Sequence, residues 1–300
     1  MKIRGDDSKL DHIPVMSNEV ISALNINPNG IYVDGTLGKG GHSELILDKL
    51  SKDGLLIGFD RDLESVKYCK EIFKKKLTPH YLFNDSYDKL SKVLKKYNIN
   101  QVDGILLDLG ISSVQLESKD RGFTYSIDSD LDMRFDLKQE LKASDIINDL
   151  SANDLAGIIY KYGEERRSRS IAKSIEKMRP LKTVYELVEA IRRSTPPNQR
   201  KKTLARVFQA IRIKVNDELK KLEEFLFSFI NHLKLDGRIA IMSFHSLEDR
   251  IVKHQFKNMA KSKQLLIHTK RPLIASKVEI LNNRRSRSAK LRFAEKIINA

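Results

Sequence analysis

Three hundred residues, 40% of them apolar, suffice for one large core or two smaller ones, and a formal charge of +15 favours polyanionic partners, nucleic acid above all. A single cysteine, Cys69, excludes an internal disulfide and a cysteine-rich metal site and points to a reducing compartment. The N-terminal stretch MKIRGDDSKLDHIPVM holds no uninterrupted apolar segment, and no run of about 18 apolar residues follows it, so neither secretion nor membrane spanning is supported and the expected location is the cytoplasm.

Through the first third, short apolar runs alternate with amphipathic stretches. GIYVDGT, GLLIGFDRD, HYLFND and VDGILLDLG read as strands, with helical patterns between them at residues 42–51, 62–76 and 87–97. That alternation predicts an α/β fold with a mostly parallel sheet and crossover helices. Each run ends at an aspartate, Asp34, Asp60, Asp85 or Asp108, and ligands bind such sheets beyond the carboxyl ends of the strands, so the four carboxylates are expected to line one crevice. From about residue 120 to 205 helix formers, serines and charges replace the strand rhythm, which predicts a helical insert. One long helix over LARVFQAIRIKVNDELKKLEEFLFSFINHL, a break at Gly237, a buried strand RIAIMSF, a helix from Leu247 and late strands LLIHTK and LRFAEK complete the pattern.

The run VDGTLGKGGHS carries the first chemical signal. Gly38, Gly40 and Gly41 let the backbone turn sharply between strand and helix and come close to a ligand. No Lys-Ser/Thr pair completes a phosphate-cradling loop, which sets ATP hydrolysis aside. Read as G-x-G-x-x-G, the third small residue is Ser43, and Asp60 follows Gly40 by twenty residues, the place of a carboxylate that accepts hydrogen bonds from an adenosine ribose. NAD and S-adenosylmethionine enzymes share this logic, so the glycines alone leave both open. Asp62 is the better N-cap for LESVKYCKEIF, which frees Asp60 for the crevice.

Asp108 is placed to accept from a cofactor amino group, with Gln115 seven residues on, and Tyr87 offers a face on which a base can stack. In MSFHSLEDR, Ser243, His245 and Asp249 resemble a hydrolytic triad, but no nucleophile elbow accompanies them, and a strand-to-helix turn whose polar groups cap the helix is the preferred reading. RRSTPPNQRKKTLAR (residues 192–206) and NRRSRSAKLR (residues 283–292) cluster cationic side chains suited to phosphate contacts.

Taken together, HIPVM, VDGTLGKGGHS, DLGISSVQL, RGFTY, LDMRFD, GEERRSRSIAKSI, FQAIRIKVNDEL, GRIAIMSFHSLEDRIVK and NNRRSRSAKLR resemble the ribosomal RNA small-subunit methyltransferase H family, also called MraW, over almost the whole chain. The resemblance implies a class I S-adenosylmethionine-dependent methyltransferase domain, Rossmann-like and mostly parallel, over residues 1–118 and 206–300, interrupted by an all-helical substrate-recognition insert over 119–205. It implies methylation of the exocyclic N4 of a cytidine in the decoding region of 16S ribosomal RNA, with the small ribosomal subunit as partner, no metal, and a homodimer left open. Carried over by motif, the cofactor contacts are Gly40, Gly41, His42, Asp60, Tyr87, Asp108 and Gln115. The family usually has phenylalanine at Tyr87, His-Pro-Ala where this chain has Lys202, Thr203 and Leu204, and proline at Asp130; the last two departures bear on RNA docking. Methylating an amine releases a proton, for which Asp108, Ser112, Ser113, Asp132 and His245 are unranked acceptors. Two other readings compete with this one: a nicotinamide dehydrogenase using the same loop and Asp60, and a non-catalytic RNA-binding assembly factor.

Overall fold

The computed structural model describes residues 14–112, 115–116, 118 and 120–298; His12 and Ile13 of HIPVM, and Ser113 and Val114 of DLGISSVQL, lie outside them. The chain divides into two compact units, Met1–Gly110 with Phe225–Ala300, and Ile111–Glu224. The changes of unit at 110/111 and 224/225 stand beside expected boundaries at 118/119 and 205/206; residue 206 falls inside the helix Arg200–Asn216.

The first unit is built on seven strands: β1 (Ile31–Asp34), β2 (Leu55–Asp60), β3 (His80–Asn84), β4 (Val102–Asp108), β5 (Leu233–Ser243), β6 (Leu265–Ile267) and β7 (Lys290–Lys296). They form one sheet in the order β3-β2-β1-β4-β5-β7-β6. The pairs among β3, β2, β1, β4 and β5 are parallel, and β7 runs antiparallel to both β5 and β6. A parallel sheet is covered on both faces, which is why its strands are nearly continuous apolar runs. Leu56, Ile57, Phe59, Ile105, Leu106 and Leu107 are all buried. On one side Val66, Cys69 and Phe73 of the helix Leu63–Phe73 share a core with Leu37, Ile46 and Leu56. Asp62 caps that helix by accepting from the Glu64 amide, as the sequence predicts.

Two local expectations are corrected. The long helix is two helices, Arg200–Asn216 and Glu218–Ser228, followed by a short 3-10 turn at Phe229–His232. Asp217 closes the first in the left-handed region at φ 49°, a conformation that Asp tolerates better than most residues. The Asn216 side chain accepts from the Phe135 amide and donates to the Met133 carbonyl as well as to the Arg212 carbonyl of its own helix, and Arg212 spans the break with a bidentate pair to Glu218. Gly237 does not separate helix from strand but sits inside β5, where the register against β4 shifts between Val102 and Gly104. A Cβ there would lie 2.9 Å from the Lys234 carbonyl oxygen and 3.0 Å from that of Asp103, so the bulge needs glycine.

The second unit is helical, with no strand among its described residues: Ala143–Asp149, Ala152–Gly163, Ser168–Met178, Val184–Arg193 and Arg200–Asn216. Apolar residues at helical spacing, among them Leu155, Ile159, Ile171, Ile175, Val207 and Ile211, form a core of its own. Gly163 permits the helix Ala152–Gly163 to approach Arg200–Asn216, since a Cβ would come within 2.6 Å of the Arg206 carbonyl oxygen. Lys202 and Thr203 lie in the first turn of Arg200–Asn216; the Thr203 hydroxyl bonds the buried carboxylate of Glu165.

Lys296 is fully buried in β7, and its ammonium donates to the Ile230 and Leu233 carbonyls at 2.8 and 2.7 Å, closing the end of the 3-10 turn against the sheet. Burial pushes its pKa down. Lys296→Met keeps the aliphatic volume but strands both carbonyls, and is expected to cost about 2–4 kcal/mol in urea unfolding; a cost below about 0.5 kcal/mol would show that the carbonyls find other donors.

Candidate active site

The carboxyl ends of β1, β2 and β4 carry Asp34, Asp60 and Asp108, and the structure gives the three different work. Asp34 is fully buried and consumed internally: Oδ2 accepts from the Ser43 hydroxyl at 2.6 Å, and Oδ1 accepts from the Thr36 amide at 3.0 Å. Burial pushes its pKa up, and the bonds from Ser43 and Thr36 hold it back. It fixes the loop rather than facing a ligand. The Thr36 hydroxyl in turn receives the Asp108 amide at 2.6 Å, and the Gly35 amide donates to the Leu106 carbonyl. A chain of bonds from Ser43 through Asp34 and Thr36 to Asp108 therefore ties the first turn of the helix Gly41–Leu47 to the ends of β1 and β4.

Between those anchors the backbone takes conformations that side chains resist. Gly38 and Gly40 have φ 52° and 78°. A Cβ on Gly40 would also stand 2.8 Å from Phe73 Cζ and 3.0 Å from Cys69 Sγ. Gly41 opens the helix beside Pro14, and His42 follows it, buried in the first turn.

Asp60 is half-buried at the end of β2. Its Oδ2 accepts from the Gly38 amide and its Oδ1 from the Asp62 amide, both at 2.8 Å, so one carboxylate orients the glycine loop and the next helix together. Each oxygen keeps a lone pair for a hydroxyl donor. Burial raises its pKa to about 6, against the pull of the two amides.

Asp108 differs again. Its Oδ2 lies 3.8 Å from His42 Nε2, and its Oδ1 is buried with no hydrogen-bond partner among the described residues. Burial, with Asp34 and Glu248 nearby, raises its pKa well above the usual carboxylate range. A buried acceptor left open in this way fits a donor that arrives with a ligand.

The fourth aspartate does not join them. Strand β3 ends at Asn84, whose amide group donates to the Asp60 and Arg61 carbonyls, and Asp85 is exposed and bonded to the Ser86 amide. Tyr87 begins a 3-10 turn, half-buried, its ring edge-on to Phe225 at 5.3 Å. Gln115 belongs to the second unit, where its side-chain oxygen accepts from the Ser112 amide and its backbone N–H donates to the Ser112 hydroxyl.

The triad-like segment after β5 has the capping role. His245 Nδ1 accepts from the Glu248 amide, and the Glu248 carboxylate receives the Phe244 and His245 amides. Asp249 instead holds Arg292, with Oδ1 to Nε at 2.7 Å, and Ser243 bonds the Lys290 carbonyl, so the three side chains do not assemble for hydrolysis. Asp132 lies in the second unit in a bidentate pair with Arg134; burial opposes ionisation there, but the Arg134 bonds and charge prevail and keep its pKa low. Ser113 lies outside the described residues. Sequence reasoning missed Thr36. The available signal was Asp34-Gly-Thr36 at a strand end, the pattern of an Asx turn in which the hydroxyl is left for a neighbour.

An open sheet in this strand order, with β7 reversed, a glycine turn after β1 and an acceptor at the end of β2, is the architecture of class I S-adenosylmethionine-dependent methyltransferases. The description "MraW methylase family" attaches to a family model that matches residues 9–297, and the chain belongs to that family. The ribosomal RNA small subunit methyltransferase H of Thermosipho africanus is 50% identical over 290 residues, covering 95% of this chain and 98% of its own. Proteins of the same name from Caldicellulosiruptor saccharolyticus and Fusobacterium nucleatum are 45% and 41% identical, each over 306 residues and 96% of this chain.

Thr36→Val keeps the shape but leaves the Asp108 amide without its acceptor, and is expected to lower stability by about 1–3 kcal/mol and weaken cofactor binding, with Thr36→Ser restoring both. Thermal unfolding and calorimetric titration of the two variants check this; equal behaviour of Val and Ser would remove the hydroxyl from the account.

Proposed function

We propose that this chain transfers a methyl group from S-adenosylmethionine to the exocyclic N4 of a cytidine in the decoding region of 16S ribosomal RNA, acting in the cytoplasm on the small ribosomal subunit. The observation that carries the cofactor half of this reading is the crevice itself: a buried Asp108 oxygen without a donor, beside a loop of positive-φ glycines and a carboxylate with lone pairs to spare. The rRNA half is supported by the names of relatives 41–50% identical and by the +15 charge.

When bound, S-adenosylmethionine supplies an electrophilic methyl on a sulfonium, so the protein's task is chiefly to bind, orient and exclude water. In this reading the amides of Gly40, Gly41 and His42 face the methionine end, Asp60 receives the ribose hydroxyls, Tyr87 flanks the base, and Asp108 with Gln115 receives amino groups. The helical unit and the basic segments hold the RNA while the target base leaves its stack.

Asp60 makes the cofactor step sensitive to pH. Ribose hydroxyls favour its ionised form, whereas the free protein binds a proton there below about 6. Affinity for S-adenosylmethionine is therefore expected to be flat above pH 7 and to fall by up to about tenfold per unit below 6 as binding must release that proton. Asp60→Asn should bind at least about tenfold more weakly at pH 8 and lose this part of the slope; calorimetry from pH 5 to 8 on both proteins decides, and an unchanged slope in the variant would contradict the assignment.

The activity is tested by incubating the protein with isotopically labelled S-adenosylmethionine and small ribosomal subunits, then identifying labelled nucleosides by mass spectrometry. N4-methylcytidine is the expected product. Label on another nucleoside would replace the target, and no label would overturn the proposal.

A further inference from the structure

The segment from Lys270 to Ser288 combines two features that the cofactor crevice leaves unexplained. It exposes Ile274, Val278 and Leu281 at 69, 68 and 82%. It also carries six cationic side chains, Lys270, Arg271, Lys277, Arg284, Arg285 and Arg287, against one carboxylate, Glu279. Aliphatic side chains this open are not part of a core, and such a charge excess exceeds what solubility requires.

The segment is held firmly from beneath. Ser276 caps the helix Lys277–Asn282 by accepting from the Glu279 amide, while Ala275 and Ile280 pack into the core of the first unit. Val278 and Leu281, one turn apart, are left outward. The 3-10 turn Arg284–Ser288 follows directly: Asn283 caps it, and Ser286 is buried with its hydroxyl on the Asn283 carbonyl at 2.7 Å. That anchor turns the flanking Arg284, Arg285 and Arg287 to the surface, and Arg284 and Arg287 form no ion pair among the described residues.

Its place in the sheet relates this surface to the crevice. The turn feeds β7 at Lys290, which pairs with Ser243, one residue past Met242; Met242 pairs with Asp108. The arginines thus stand at the carboxyl-end rim of the sheet, the rim that carries Asp60 and Asp108. The helix is tied to the same region from another side, since Glu279 accepts from the Met16 amide and Pro14 abuts Gly41 of the glycine loop.

We propose that Lys270–Ser288 is an RNA-docking surface, in which Arg284 and Arg287 grip phosphates and the Leu281–Val278–Ile274 face packs against unpaired bases beside the target nucleotide. Basic side chains hold the backbone without reading sequence, and an exposed aliphatic wedge beside them favours unstacked over stacked bases. Charge complementarity selects RNA over a second copy of this +15 chain. The inference rests on the rRNA reading above and adds where the RNA is held.

Two variants of the full chain test it, Arg284→Ala/Arg287→Ala and Ile274→Ser/Val278→Ser/Leu281→Ser, with wild type beside them. The probes are a single-stranded 16S rRNA decoding-region fragment and whole small subunits, titrated by filter binding across a salt series. Thermal unfolding and S-adenosylmethionine binding are expected to stay at wild-type values. The arginine variant should bind the fragment about five- to twentyfold more weakly, with the slope of log K against log salt shallower by about 1.4, two phosphate contacts' worth. The aliphatic variant should lose about three- to tenfold with the slope unchanged. Wild-type affinity and slope in both variants would overturn the proposal. So would weakened binding to whole subunits alone, which would assign the surface to a ribosomal protein. A wild type that binds RNA with these dependences yet transfers no methyl would instead refute the activity and leave the docking surface standing.

Discussion

A buried carboxylate must be satisfied from within, and the way Asp34 is satisfied organises the rest of the site. Its two oxygens draw the Ser43 hydroxyl and the Thr36 amide inward, and Thr36 passes the constraint to the Asp108 amide. The end of β1 and the first turn of the next helix are thereby held by hydrogen bonds to the end of β4, some seventy residues on. Because burial already raises the Asp34 pKa, the ionised state depends on those donors. Asp60 performs a parallel task at β2, joining the Gly38 and Asp62 amides. Bonds from Asp34 and Asp60 hold the loop without a ligand, and a loop so held loses less entropy on binding.

Much of this was legible in the sequence. The seven apolar runs became the seven strands, most plainly at β2 and β4, where strands covered on both faces cannot conceal their composition, and Asp62 rather than Asp60 capped its helix as the residue order required. Failures occurred where a single side chain redirects the backbone. The Asn216-Asp217 break interrupts a continuous helical pattern because Asn216 serves a loop some eighty residues earlier, a contact that no local periodicity encodes. Gly237 was legible as an interruption but not as a bulge, since one of the two crowding carbonyls, that of Asp103, belongs to another strand. The four strand-end aspartates looked equivalent, and only hydrogen-bond partners separate the structural Asp34 and the exposed Asp85 from Asp60 and Asp108.

Binding a cofactor and recognising RNA are two different physical problems. Cofactor binding needs fixed amides and oriented acceptors, which a sheet edge supplies. RNA recognition needs area and charge, and in the proposed reading the Lys270–Ser288 segment supplies both at the rim of that edge. Lys202, Thr203, Leu204 and Asp130 all lie in the second unit.

The central claim is that the crevice over β1, β2 and β4 was shaped for an adenosine attached to an amino acid. A crystal structure of the chain with S-adenosylhomocysteine tests it most directly. The account predicts the ribose hydroxyls on the Asp60 carboxylate, a donor within about 3 Å of Asp108 Oδ1, and a glycine loop unmoved from the conformation described. A ligand bound elsewhere, or an Asp108 Oδ1 still without a donor in the filled crevice, would contradict it.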